Sequence, residues 1–249
     1  MNSVVGVVVG TVKDVKDPEG EGRVHVEFPW MEGRNEGYWA PPATLMAGGK
    51  RGSWFMPEVG DEVLVAFEHG DVNHPFIIGF LWNGVDKPPS DDINASVRRL
   101  KTVSGHILEF DDNAGKERIL LKTKGEHKIE LVDAPTASIV IETKGGHHVA
   151  LKDTGGGTIE IKTKGGSEVT LEGAPPKVTV QSSGMNSVVI SETEGVTVNC
   201  LMAKVTAQAM LNVSAPITVF SGVVQIPTLI AQTVVGAAYT PAPGNTFGL

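Results

Sequence analysis

Cysteine is nearly absent from this chain: Cys200 is the only one in 249 residues. A lone thiol excludes an intrachain disulfide and a multi-cysteine zinc site, and it fits a reducing site of synthesis with Cys200 as a buried, inert side chain. Positive charge is also short. Lysine and arginine number 21 against 29 aspartates and glutamates, so the net charge is −8 and phosphate backbones and anionic membranes are disfavoured as partners. The N-terminus has no Lys/Arg cluster or small-residue cleavage site, so no secretory leader is expected. The apolar run at 4–9 is too short to span a bilayer. Stretches with helical periodicity are few. From 205 to 249 there is no Asp, Glu, Lys, Arg or His at all.

What fills the second half instead is a repeat of about twenty residues. Ile119 and Leu121, Ile139 and Ile141, Ile159 and Ile161, Val178 and Val180, and Val196 and Val198 recur at intervals of 20, 20, 19 and 18. One residue separates the members of each pair, so both side chains face the same side of a strand. Between pairs runs a second alternating segment, led by Gly125, Gly146, Gly166 or Gly184 and ending in Leu131, Leu151, Leu171 or Ile190. Each repeat is thus two short strands and two turns. Glycine-rich words such as Thr143-Lys144-Gly145-Gly146 make one set of turns, and Asp133-Ala134-Pro135 and its equivalents make the other.

A ladder six or seven residues wide with one apolar face and open edges needs cover, and nothing helical in the chain supplies it. Three copies about a common axis would bury the inward Ile, Val and Leu in a closed prism. The alternative is a monomeric solenoid, although solenoid coils usually carry three faces per turn and these repeats supply two strands.

The first third reads differently. Strands are predicted at 4–15, 23–28, 37–45, 62–67 and 75–82, parted by turns such as Asp17-Pro18-Glu19-Gly20 and Glu68-His69-Gly70-Asp71. Five strands in about eighty residues suggest a small closed barrel, of OB or SH3-like type.

Here the residues resemble a known family. The words are Asp17-Pro18 leading to Gly22-Arg23-Val24-His25-Val26-Glu27-Phe28-Pro29-Trp30, Trp39, Ala47-Gly48, and Pro57-Glu58-Val59-Gly60-Asp61-Glu62-Val63. Glu68-His69-Gly70-Asp71, His74-Pro75 and Ile78-Gly79-Phe80-Leu81-Trp82-Asn83 follow in order. The pattern is similar to the central spike proteins of contractile injection machines, including phage baseplate spikes and the valine-glycine-repeat spikes of type VI secretion. It extends through Ser104-Gly105-His106 to about residue 172 and fades beyond.

The resemblance implies an all-β protein: an OB-fold collar at 1–84, a linker at 85–100, and a trimeric intertwined β-helix, or β-prism. The repeat-built shaft of that prism would occupy 101–204 and an uncharged tip 205–249. It implies a homotrimer assembled into a baseplate, which pierces the target envelope only transiently. The barrel begins at Val4 with no hub domain before it and no lysozyme domain after it, so a separate hub protein and no muramidase activity are expected. Trp30, Trp39, Trp54 and Phe55 are candidate hub contacts. Tyr239, Pro241, Pro243, Phe247 and Leu249 are candidate contacts for a separate conical tip-cap protein.

No catalytic residue, metal site or cofactor is expected. Asp111-Asp112 and Asp91-Asp92 fall in turn and linker segments and read as solvated turn residues rather than a hydrolytic pair. His106, His127, His147 and His148 sit beside equivalent glycines and would form imidazole rings in a trimer. The inward register belongs to Ile, Val and Leu, however, so solvent-facing histidines are the simpler account. No histidine follows His148, so the C-terminus cannot build the His-x-His iron site of some related tips. The four aromatics could also stack bases, but Glu27, Glu32, Glu36 and Glu58 lie nearby along with Lys50, Arg34 and Arg51, and no nucleic-acid partner is expected. The remaining alternatives are a polysaccharide- or nucleic-acid-binding OB module on a trimeric stalk, and a cell-wall hydrolase accessory.

Overall fold

The computed structural model describes residues 4–31, 38–89, 94–233 and 235–236. The chain forms two compact units, Met1–Leu201 and Met202–Leu249. Among the described residues there is no α-helix, and the only helical turns are the single 3-10 turns Glu68–Gly70 and Thr154–Gly156.

The barrel is built from β1 (Val7–Asp14), β2 (Val24–Glu27), β3 (Tyr38–Ala40), a small hairpin of β4 (Ala47–Gly48) and β5 (Arg51–Gly52), then β6 (Glu62–Phe67) and β7 (Pro75–Leu81). The main sheet runs β3-β2-β1-β6-β7 with antiparallel neighbours throughout. A parallel bridge between Pro42 and Ile77 brings the outer strands together. Ala43 donates to the Ile77 carbonyl at 2.7 Å, and Ile77 donates to that of Pro41 at 3.1 Å. Register shifts at Val12/Asp14 and Leu64/Val65 bend β1 and the β6–β7 pair, as bulges do where a sheet must curl closed.

Strict alternation places Val24 and Val26 of β2, and Val63, Val65 and Phe67 of β6, inward. With Val12, Phe28, Ala40 and Ile77 they form one buried cluster, each fully buried valine or isoleucine contributing about 1.5–3 kcal/mol. Phe28 and Phe67 meet at its base with ring centroids 5.4 Å apart and planes tilted 60°.

The repeats form a single eleven-stranded meander. Its strands are β8 (Val97–Lys101), β9 (Ile107–Asp111), β10 (Arg118–Lys122), β11 (Lys128–Val132), β12 (Ser138–Glu142) and β13 (His148–Lys152), continuing as β14 (Thr158–Lys162), β15 (Glu168–Gly173), β16 (Pro176–Gln181), β17 (Ser187–Ser191) and β18 (Gly195–Asn199). Each pairs only with its neighbours in sequence, antiparallel and without a register shift. Cys200, expected to be buried, is exposed, because it follows β18 at the last rung of the sheet, where no further strand covers it.

The second unit differs from its expectation too. Alternations around Leu211 and Val213, Ile217 and Val219, and Val224 and Ile226 read as strands, yet the described residues beyond 202 form none, and all are exposed. A strand needs a hydrogen-bonding neighbour, and this chain supplies none there.

Candidate functional site

Directly opposed residues of an antiparallel pair share a face, and the register lines up two unbroken apolar columns along the ladder. One runs Phe110, Ile119, Leu131, Ile139, Leu151, Ile159, Leu171, Val178, Ile190, Val196. The other runs Leu108, Leu121, Ile129, Ile141, Val149, Ile161, Val169, Val180, Val188, Val198. All ten residues expected in a shared core therefore lie on one face. Nine of them are 40–68% exposed in the single chain, and Val178 is half-buried. So large an apolar strip in contact with water marks an interaction surface.

The opposite face carries the strand charges, interspersed with Leu120, Val140, Ala150 and Val189, and those charges pair with one another. Glu109, only 3% exposed, is held between Arg99 and Arg118, and Arg118 reaches on to Glu130 at 2.8 Å. Lys128 bridges Glu130 and Glu142, Lys152 meets Glu160 at 2.9 Å, and Lys162 joins Glu160 to Glu168. The hydrogen bond from Lys152 holds the Glu160 carboxyl below the ordinary carboxylate range. Arg99 also donates to the Pro89 carbonyl at 2.9 Å, tying Pro89 to the ladder's first strand. With its charges compensated inside the chain, this face needs no partner. The apolar one does.

The turns on one edge repeat a single device. Thr102, Thr123, Thr143 and Thr163 each accept, through Oγ1, the backbone N–H four residues on, at 3.0–3.2 Å. His106, His127 and His147 lie exposed on these turns, and His148 opens β13 half-buried. Two of them bind the next turn up: Lys124 donates its N–H to His106 Nδ1 at 3.3 Å, and Lys144 donates to His127 Nδ1 at 3.4 Å. This rung-to-rung bond was not foreseen from the sequence, although the recurrence of histidine four residues after Thr102, Thr123 and Thr143 was visible. Among the described residues no group of three or more His, Cys, Asp or Glu is placed to hold a metal ion. Asp111 accepts from the Asn113 N–H and side chain, which lower its pKa within an ordinary turn. Asp91 and Asp92 lie outside the described residues.

The four barrel aromatics do not form one patch. Trp39 tilts against His25 with centroids 5.1 Å apart, and Trp30 packs on Phe28 at 5.9 Å. Trp54 and Phe55 instead line an open groove of about 1000 Å³ with Leu45, Met46, Ile78 and Phe80. The Trp54 ring lies over Gly22, where a Cβ would sit 2.9 Å from it. Sequence reasoning missed the groove's other wall. The signal was the outward alternation Phe76, Ile78, Phe80, Trp82, all 40–67% exposed. The proposed tip-cap contacts Tyr239, Pro241, Pro243, Phe247 and Leu249 lie outside the described residues.

A barrel with an apolar groove and a narrow ladder with one bare apolar face make the described part of the chain an all-β protein with two exposed apolar surfaces. Comparison makes the class specific. Residues 8–82 match the family described as the type VI secretion system/phage-baseplate injector OB domain. The type VI secretion system spike protein VgrG3 of Vibrio cholerae is 35% identical over 127 residues, covering 44% of this chain and 12% of its own length. The actin cross-linking toxin VgrG1 of the same species is 33% identical, again over 44% of this chain and 12% of its own. The spike protein VgrG1b of Pseudomonas aeruginosa is 27% identical over 52% of this chain and 19% of its own. The chain thus spans 12–19% of the length of these curated relatives. The barrel matches an injector-type OB domain, and the chain is similar to type VI secretion spike proteins over about half of its length.

Proposed function

We propose that this chain serves as the central spike of a contractile injection machine, as a homotrimer whose three ladders close their apolar faces into one prism. The pair of apolar columns, each unbroken over ten strands and bare in the single chain, carries this reading. A closed prism transmits axial force because its strands share a hydrogen-bonded lattice around a dry, close-packed core. The role is mechanical, and no step in it requires a catalytic residue or a cofactor.

Within the same proposal, residues 1–84 seat the trimer on a hub, and the groove at Trp54 and Phe55 is its best-supported contact. Residues 205–249 form the leading end, which meets a tip-cap protein and then the target envelope. The absence of charge there lowers the desolvation cost of entering a low-dielectric layer. Size-exclusion chromatography with light scattering tests the core of the idea. A trimer at micromolar concentration is expected, and a folded, soluble monomer refutes it.

A further inference from the structure

In an antiparallel meander, alternate turns fall on opposite edges. The turns following β10, β12 and β14 share one edge and present Lys124, Lys144 and Lys164, all exposed. Those following β11, β13 and β17 share the other and present Asp133, Asp153 and Glu194, also exposed. Charges of the minority sign also lie beside these turns, and most pair within the chain: Glu142 with Lys128, Glu168 with Lys162, Arg118 with Glu109 and Glu130, Lys152 with Glu160, and Lys177 with Glu172. Glu126 on the basic edge is already paired with Lys122 at 2.7 Å, and Lys116 on the acidic edge neighbours Glu117.

The turn charges differ from the strand charges in one decisive respect. Charges on the polar face pair within the chain, whereas among the described residues none of these six edge residues makes an internal ion pair. They are held out in order, since the turns stack: Lys164 lies over Gly146, where a Cβ would stand 3.6 Å from its side chain.

Geometry matches the two edges to each other. Consecutive turns on one edge are two strands apart, roughly 10 Å, and the two edges are offset by one strand, roughly 5 Å. When two ladders lie edge to edge at the same height and run the same way, each lysine turn falls beside at least one acidic turn, although the turn after β15 (Ala174-Pro175), next to the level of Lys164, carries no acid. Lys144, for example, sits level with the gap between Asp133 and Asp153. Rotation about an axis along the ladder brings the basic edge of every copy to the acidic edge of the next. Packing two apolar faces with the ladders running in opposite directions would instead set basic on basic.

We propose that the two edges are an orientation code between copies of this chain: the lysine turns of one chain seat against the acidic turns of the next, so that the apolar faces close only in parallel. Exposed ion pairs add little affinity each, but like-charge juxtaposition rejects the wrong arrangement and fixes register. This inference rests on the trimeric reading above.

Carbodiimide tests it on the full-length protein, because it condenses a lysine amine with a carboxylate into an amide, with water lost to the reagent and no spacer left. Within one chain the edges are separated by a five-residue strand, roughly 17 Å, so a link from Lys144 to Asp133 or Asp153 must join two chains. Peptides so linked, and carrying both labels in assemblies refolded from equal 14N and 15N chains, are the expected result. Interchain links confined to the basic edge, or no link between the two edges, overturn the proposal. In a second arm, K124E/K144E/K164E is expected to lower the trimer yield on low-salt refolding roughly fivefold. Adding D133K/D153K/E194K to the same chain restores it. An unchanged yield in the first variant, or no rescue in the second, also overturns the code. Light scattering on the wild type keeps the two ideas apart: a monomer refutes the trimeric reading, and a trimer with wrongly placed links refutes only the edge assignment.

Discussion

At the scale of single residues, Asp17 organises the loop between the first two barrel strands. It accepts the backbone N–H groups of Glu19, Glu21 and Arg23 and two bonds from the Arg23 guanidinium, at 2.8–3.1 Å, with its side chain 3% exposed. The guanidinium, aided by these N–H groups and opposed by burial, holds its carboxyl well below the usual carboxylate range. A depressed folded-state pKa contributes stability that is complete above the unfolded value and is lost as pH falls through the folded one. In chemical denaturation Asp17→Asn is expected to be less stable than the wild type at about pH 7 and about pH 5, with the gap narrowing below about pH 4. A gap that persists undiminished in strong acid would contradict this. Gly10 makes the complementary point in the core. An added Cβ would lie 2.4 Å from Val26 Cγ1 and 3.1 Å from Phe28, so Gly10→Ala is expected to destabilise the barrel by about 1–3 kcal/mol through overpacking. Thermal or denaturant unfolding of the variant checks it. Asp17 and Arg23 stood out in the sequence because they open and close a recognisable word. Gly10 did not, because the demand for a missing side chain comes from β2, which reaches it only when the sheet forms.

At the scale of elements, the ladder was the most legible part of the molecule. A period of two within strands and of twenty between repeats fixes both face and register, so the pairs from Ile119 and Leu121 to Val196 and Val198 fall in line. The hairpin of β4 and β5 was not legible, since two-residue strands reading Ala-Gly and Arg-Gly carry no alternation. Nor were the bonds from His106 and His127 to the following turn, because donor and acceptor lie 18 and 17 residues apart. The two faces of the ladder give opposite expectations for substitution. Ile141 is 44% exposed in the single chain, so Ile141→Asp disturbs no buried packing within that chain. In the proposed trimer it sets three unpaired carboxylates about one axis, on the order of several kcal/mol per chain. Light scattering of Ile141→Asp and Ile161→Asp is therefore expected to show loss of the trimer while circular dichroism still shows strand. Glu160→Gln, on the self-paired face, is expected to keep the trimer. Normal assembly of both aspartate variants would place the wrong face inward.

At the scale of the whole molecule, the barrel and the remainder have different kinds of core, and this predicts different behaviour when they are separated. Among its described residues the barrel buries nine hydrophobic side chains within one chain, which is the mark of a unit that folds alone. The ladder buries only Ala150 among its apolar side chains, and the described residues of 202–249 bury none. Met210, Ile217, Val219, Phe220 and Ile230 are 70–95% exposed there. No single chain keeps such a segment in water without cover, and this is also why its alternations could be read in the sequence while no strand appears in one copy. In the proposed trimer, the neighbours those strands need belong to other chains. Residues 1–84 expressed alone are therefore expected to be a folded monomer, and residues 101–249 alone to trimerise and yet fail to retain a hub in a pull-down. Mixing the two pieces is expected to leave hub binding with the barrel, weakened by the loss of threefold presentation. Retention of the hub by residues 101–249, or trimerisation of the isolated barrel at micromolar concentration, would move the assembly surface from the ladder's apolar columns to the groove at Trp54 and Phe55.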